Sequence, residues 1–205
     1  MLRIALLVLA LTATANADID WAKGLVTAPG IGLADRQAPN PAVARGPARR
    51  RAEDAARTAL AVAVPTLPLA GGGTVADKLG DAKVRARINA AVAGALGVTA
   101  DPETDGSWRV TMAVPVEAVR QALVGPRALA AAGDAGPAVV IVEGVSVAPG
   151  LGMTIGGIAA ATLWTKDLPT WTKGAPRIKA RSVKGSVIEA DVGKATAATL
   201  FVLVR

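Results

Sequence analysis

The sequence predicts an α+β fold, a mixed β-sheet covered by two or three α-helices in a single domain. Three observations predict it. Segments with helical spacing of apolar residues and segments with strand-like alternation both occur, but not in the regular β-α-β order of a doubly wound sheet. The chain has 205 residues, enough to bury one real core. Hydrophobic residues make up 52% of it and aromatic residues only 2%. The core must then come from Ala, Val, Leu and Ile, whose small side chains let helices lie close on a sheet.

The elements follow in chain order. Met1 to Arg3 is a short basic start, Ile4 to Ala13 an apolar run, and Ala15-Asn16-Ala17 a small-x-small site before Asp18. Residues 1–17 therefore read as a secretory signal peptide, and 18–205 as a single α+β domain. The apolar run falls short of the roughly 20 residues that a membrane span requires, and no later segment is long and apolar enough. "KGLVTAPGIGLAD" (Lys23 to Asp35) reads as a strand bent or bulged at its Pro and Gly residues. Asn40-Pro41 is a helix start, with Asn as cap and Pro in the first turn. That helix extends to about Val64, with Ala48, Ala52, Ala56 and Leu60 on one face. On the other face the pairs Arg50–Asp54 and Glu53–Arg57 stand four apart.

A loop, "PTLPLAGGGT", leads to a second helix from Asp81. Val84, Ile88, Val92 and Leu96 share its inner face and Gly97 is its stop. "DPETDGS" reads as a turn, "WRVTMAV" (Trp108 to Val114) as a half-buried strand, and Val116 to Val124 as a short helix. "AVVIVEGVSVA" is the strongest strand, and its continuous apolar start implies burial on both faces. "PGLGMTIGG" reads as a flexible loop, Ala159 to Thr165 and Arg177 to Val183 as strands, and Gly193 to Leu200 as helical. The closing "FVLVR" docks as a strand.

Several kinds of chemistry are poorly supplied. There is no Cys and no His, which removes disulfides, a lipid-bearing Cys, and the usual zinc and copper ligands. Serines have no His to act as base and no Ser-x-x-Lys occurs. "GIG" has Asp35 where a dinucleotide fingerprint needs its third Gly, and "VGKAT" has Ile188 where a phosphate loop needs its first. Asp101, Glu103 and Asp105 with Gly106 open like a calcium loop. The twelfth position, however, is Met112 rather than Glu, so a solvated hairpin turn is the better reading. No cofactor and no metal are expected. Glu143, Glu189 and Asp191 are the carboxylates that could serve acid-base work if a cleft gathered them.

Candidate binding residues are few. The chain has four Trp and one Phe, yet "LWTKDLPTWTKG" repeats Trp-Thr-Lys at Trp164-Thr165-Lys166 and Trp171-Thr172-Lys173. A Trp ring beside a Lys head suits sugar rings, lipid headgroups or a protein partner. The alternative, favoured here, is that both rings fill a core short of large residues. Arg45, Arg49, Arg50 and Arg51 could meet polyanions, but a solvated helix face is the simpler reading. The formal net charge of +7 favours acidic partners. Trp164, Lys166, Trp171, Lys173, Arg49 and Arg50 are the candidate contact residues.

"APGIGLAD" with "ARGPARRRAEDAARTAL", then "AVVIVEGVSVAPGLGMTI" and "SVIEADVGKATAATL", together resemble bacterial envelope proteins. The type is that of the small outer-membrane lipoproteins and the flagellar assembly protein T family. The resemblance spans roughly residues 24–200, without the lipid-bearing Cys. It implies an exported α+β domain used in envelope assembly, with no catalytic site to carry over. The expectation is therefore a non-catalytic cell-envelope protein with a binding or assembly role, outer-membrane or flagellum associated, periplasmic or at the outer membrane. Its partner would be an envelope protein or a wall or outer-membrane component, not nucleic acid. The competing expectation is a carboxylate-based hydrolase of wall polymers.

Overall fold

The structure, a computed structural model, describes residues 17–125 and 136–205. Apart from Ala17, the signal peptide read over residues 1–17 lies outside them. The class is α+β, with strands distributed over three four-stranded sheets.

The first half builds an antiparallel sheet with helices on it. Strand β1 (Asp18–Asp20) turns through Trp21 into β2 (Leu25–Gly32). The Asp20 carboxylate braces that turn, accepting from the Ala22 and Lys23 amides at 3.0 and 2.9 Å. Helix α1 (Pro41–Ala63) starts as expected, with Asn40 Oδ1 accepting from the Val43 amide at 3.1 Å. Helix α2 (Ala82–Ala93) is capped by Asp81. Strands β3 (Leu96–Pro102) and β4 (Trp108–Pro115) form a hairpin, and helix α3 (Val116–Val124) follows directly. The sheet order is β1-β2-β4-β3.

Three sequence readings are corrected here. Strand β2 is neither bent nor bulged, for it pairs with β4 without interruption from Leu25↔Pro115 to Gly32↔Trp108. Its glycines serve close approach instead. The inward positions Val26, Ala28, Gly30 and Gly32 face the α1 stripe Ala44, Ala48, Ala52, Ala56 and Leu60. A Cβ on Gly30 would overlap the Ala52 carbonyl oxygen, and one on Gly32 the Ala48 carbonyl oxygen. Helix α2 ends at Gly94, so Leu96 belongs to β3 and is exposed. All of β3 is exposed because it is the outer strand of the sheet. On α1 the ion pairs are Arg49–Glu53, Arg57–Glu53 and Arg57–Asp54. Arg50 makes none among the described residues.

Among the described residues the second half is built of strands, with one 3-10 turn at Thr170–Thr172. A parallel sheet, in order β8-β12-β5-β9, comprises β5 (Val139–Glu143), β8 (Ala161–Thr165), β9 (Arg177–Lys179) and β12 (Leu200–Val204). The connections between these strands carry short strands in place of helices. The first holds the hairpin β6 (Thr154–Ile155) and β7 (Ile158–Ala159). Another holds β10 (Ser182–Lys184) and β11 (Val187–Glu189). These four form the third sheet, in order β10-β11-β6-β7. Between the two sheets lies a core of Val140, Val142, Met153, Ile155, Trp164, Ile188, Phe201 and Leu203.

Further sequence readings change in this half. "GMTIGG" is a hairpin rather than a loop, turning on Gly156 and Gly157 at φ 53° and 81°, values that glycine adopts without strain. Arg177 to Val183 is two strands in two different sheets. Residues 193–199 are turns, not a helix. The expected burial of β5 holds, since Val140, Ile141 and Val142 are buried, but the strand ends at Glu143 and the segment from Gly144 to Ala148, read as its continuation, is not strand.

The halves are joined by backbone as well as by side chains. The Trp164 amide donates to the Trp21 carbonyl at 3.0 Å. The Ala70 amide donates to the Leu151 carbonyl at 2.8 Å, and the Leu151 amide to that of Pro68 at 2.9 Å. The Trp21 ring borders both hydrophobic cores.

Candidate functional site: a groove at the carboxyl ends of the parallel strands

Strands running the same way deliver their last residues to one edge, where loops can diverge and leave a crevice. Here β5 ends in Glu143, β8 in Thr165 and β12 in Val204. The residues that follow line a groove of about 770 Å³: Gly144 to Ser146 after β5, Lys166 to Leu168 after β8, and Arg205 after β12. Arg177, at the start of β9, closes one side.

Charge sets the character of the groove. Arg177 Nη1 lies 3.0 Å from Glu143 Oε1, so these two largely neutralise each other. This is the partner that a half-buried Glu143 needs. Lys166 and Arg205 make no ion pair among the described residues, and Asp167 is the remaining carboxylate. Local hydrogen bonds fix the loop that carries Lys166. The Thr165 hydroxyl donates to the Asp167 carbonyl, and the Arg205 amide donates to the Thr165 carbonyl at 3.1 Å. The lining therefore offers cationic point charges and a pre-set ion pair, which is chemistry suited to holding an anionic or polar group.

The six candidate residues divide. Trp164 is 2% exposed and packs in the second core, while Trp171 is 53% exposed on the single 3-10 turn Thr170–Thr172 that follows Leu168. The near-repeat is thus alike only at its threonines. Thr165 and Thr172 are both buried, and each hydroxyl donates to a nearby carbonyl, that of Thr172 to Pro169 at 2.7 Å. Lys166 lines the groove and Lys173 is exposed. Arg49 and Arg50 lie on α1 and do not line it. The Arg49 guanidinium stands 5.4 Å over the Trp108 ring and its Nε 3.1 Å from Glu53. Trp164 can therefore be no contact residue in this folded state, because its ring is inside the core.

The sequence did not single out Arg177, Arg205 or Asp167. The only signal for them was a charge at or just beyond a strand end, and that has no weight until strand order is known.

The three carboxylates considered for acid-base work do not converge. Glu143 pairs with Arg177. Glu189 accepts from the Ser182 hydroxyl at 2.7 Å in the third sheet, and Asp191 accepts from the Gly193 amide at 3.2 Å in a turn. Asp105 is held below its ordinary pKa by the Ser107 amide and hydroxyl that donate to it. That network braces the β3–β4 turn, and Ser107 Oγ also accepts from the Ala34 amide at 2.8 Å. Among the described residues no group of three or more acidic side chains could hold a metal ion, and no helix is long and apolar enough to cross a membrane. Compared with models of known protein families the chain matches none, and no curated protein matches it.

Proposed function

We propose that the chain is an exported, non-catalytic cell-envelope protein with a binding or assembly role, and that the groove at the carboxyl ends of β5, β8 and β12 is its contact site. The observation that carries this reading is the pairing pattern in the groove. Glu143 and Arg177 satisfy each other, and Lys166 and Arg205 stand against the single carboxylate of Asp167, which leaves the lining one positive side chain in excess for an anionic partner. Trp171, exposed on the next turn, adds an apolar ring with a polar edge. The excess of basic residues in the whole chain acts in the same direction. The resemblance of the sequence to the small outer-membrane lipoproteins and the flagellar assembly protein T family is the support for seeking such a partner in the bacterial envelope. Hydrolysis of wall polymers has less support, since Glu143, Glu189 and Asp191 lie in three separate settings.

The test is co-sedimentation of the purified protein with outer-membrane, wall and soluble envelope fractions across a salt series. Binding to one fraction that weakens with salt is expected, because exposed charge pairs are screened. Lys166→Glu with Arg205→Glu should abolish it, and Trp171→Ala should weaken it. A wild-type protein that stays in the supernatant with every fraction would overturn the proposal.

A further inference from the structure

A second cleft lies at the seam between the two halves, away from the groove. It has a volume of about 470 Å³, within the size range of small-molecule sites. Leu69, Val84, Leu123 and Leu151 make apolar walls, Arg120 on α3 lines it as well, and Lys78 and Asp81 add one charge of each sign. Arg120 is unusual. It occupies an inward position of the helix, beside the buried Val116 and Val119, and its side chain is only 7% exposed.

Its partner does not explain its place. Arg120 Nε and Nη2 donate to the two Glu117 oxygens at 2.6 and 2.5 Å, and Gln121 Nε2 donates to the same carboxylate at 2.9 Å. All three residues are on α3, so the pair ties no two elements together. Burying a guanidinium is costly, and apolar residues of similar size usually serve stability as well or better. The bidentate clasp does something else, for it fixes the plane of the guanidinium. Nη1 is left without a hydrogen-bond partner among the described residues. The wholly buried side-chain donors without partners there are the indole nitrogens of Trp108 and Trp164. Arg120 Nη1 is not among them, so it keeps some solvent access, and Arg120 is one of the residues that line the cleft.

We infer that this cleft binds a small amphiphilic carboxylate, with the head on Arg120 and the apolar chain against Leu69, Val84, Leu123 and Leu151. The inference is independent of the groove and of the proposed envelope role.

Isothermal titration of the purified protein tests it, with decanoate, decanol and decyltrimethylammonium as probes below their micelle concentrations. Decanoate should bind at one site per chain, decanol more weakly and decyltrimethylammonium not measurably. Arg120→Met keeps the volume and removes the charge. It should weaken decanoate roughly tenfold or more, as the loss of a charge-assisted hydrogen bond implies. Glu117→Gln keeps an oxygen that can accept from the guanidinium and hold its plane but removes the negative charge that offsets it, and should tighten decanoate binding, an effect that a purely structural ion pair would not give. That arm decides the matter even where circular dichroism shows Arg120→Met to be unfolded. Equal binding of the anionic and cationic probes, no decanoate binding, or unchanged binding in a folded Arg120→Met would each overturn the inference.

Discussion

Replacing Gly30 with Ala tests the central packing argument of the first half. A Cβ at this position would overlap the Ala52 carbonyl oxygen and come within 2.5 Å of the Ala56 nitrogen. Both obstacles are backbone, so no side chain can turn aside. Helix α1 must instead lift from β2 along the stripe Ala44, Ala48, Ala52, Ala56 and Leu60. A gap of about 0.5–1 Å forfeits a quarter to a half of the dispersion attraction across such a contact. Overpacking in cores costs about 1–3 kcal/mol where side chains can adjust, and a backbone clash should lie at or above about 3 kcal/mol. For a chain of this size that lowers Tm by about 6–12 °C. Urea and thermal unfolding would read it, with Gly97→Ala as the control. Nothing lies within 4 Å of a Cβ built on Gly97, so that variant should stay within about 0.5 kcal/mol of the parent. If the two variants unfold at the same urea midpoint, the close-approach argument is wrong.

Other outcomes follow from single residues. Trp164→Ala should cost about 3–5 kcal/mol in thermal unfolding, as the loss of a large buried ring does, while the exposed Trp171→Ala should cost under about 0.5 kcal/mol. In the native protein acrylamide should quench Trp171 most readily, and the accessible fraction of the fluorescence should fall in Trp171→Ala to what the half-buried Trp21 and Trp108 supply. Asp105 has a lowered pKa in the fold, because the Ser107 amide and hydroxyl favour its charged form. Its stabilising effect is complete above the unfolded carboxylate pKa and is lost as pH falls through the lower folded value. Urea midpoints taken from pH 7 to 3 should therefore fall less steeply at the acid end in Asp105→Asn than in the parent. Arg49→Ala removes a ring contact with Trp108 and an exposed ion pair with Glu53. It should cost no more than about 1 kcal/mol, measured by urea unfolding at low salt.

Much of the fold was legible where local chemistry and periodicity agree. Asn40-Pro41 and Asp81 mark helix starts by capping, and "AVVIVE" signals a strand buried on both faces by its unbroken apolar run. The misreadings share a cause. Gly30 and Gly32 were read as local breaks, but their reason is a helix that arrives later in the chain and needs the space. Leu96 fits the apolar spacing of α2, yet Gly94 stops the helix first and leaves Leu96 on an outer strand. Arg177 to Val183 looks continuous because alternation does not say which sheet a strand joins. The candidate site was legible only at Lys166. Its companions come from the ends of β5, β9 and β12, and parallel order brings together residues far apart in sequence without a local signature. The favoured reading of the Trp-Thr-Lys repeat, that both rings fill the core, holds for Trp164 and fails for Trp171. Similar triplets entered different contexts, a strand for Trp164 and a surface turn for Trp171.

The two halves depend on each other in a way that gives the seam its interest. No helix lies in the connections between the strands of the parallel sheet among the described residues except the short turn Thr170–Thr172, and α3 of the first half meets the sheet at β8. One of its faces is closed by the third sheet, through Ile155 and Ile188 against Val140, Val142, Phe201 and Leu203. Its other face brings Leu163 against Gly24 of the first half. Separation of the halves would hand the backbone bonds from Trp164 to Trp21 and between Ala70, Leu151 and Pro68 to water, at about 1 kcal/mol each, and would expose the apolar contacts that Trp21 makes with both cores. The halves should therefore unfold together. The seam cleft exists only while they are docked, because Arg120 and Val84 come from one half and Leu151 and Gly152 from the other. Any ligand that fills it binds the docked state alone, and by mass action stabilises the docking itself.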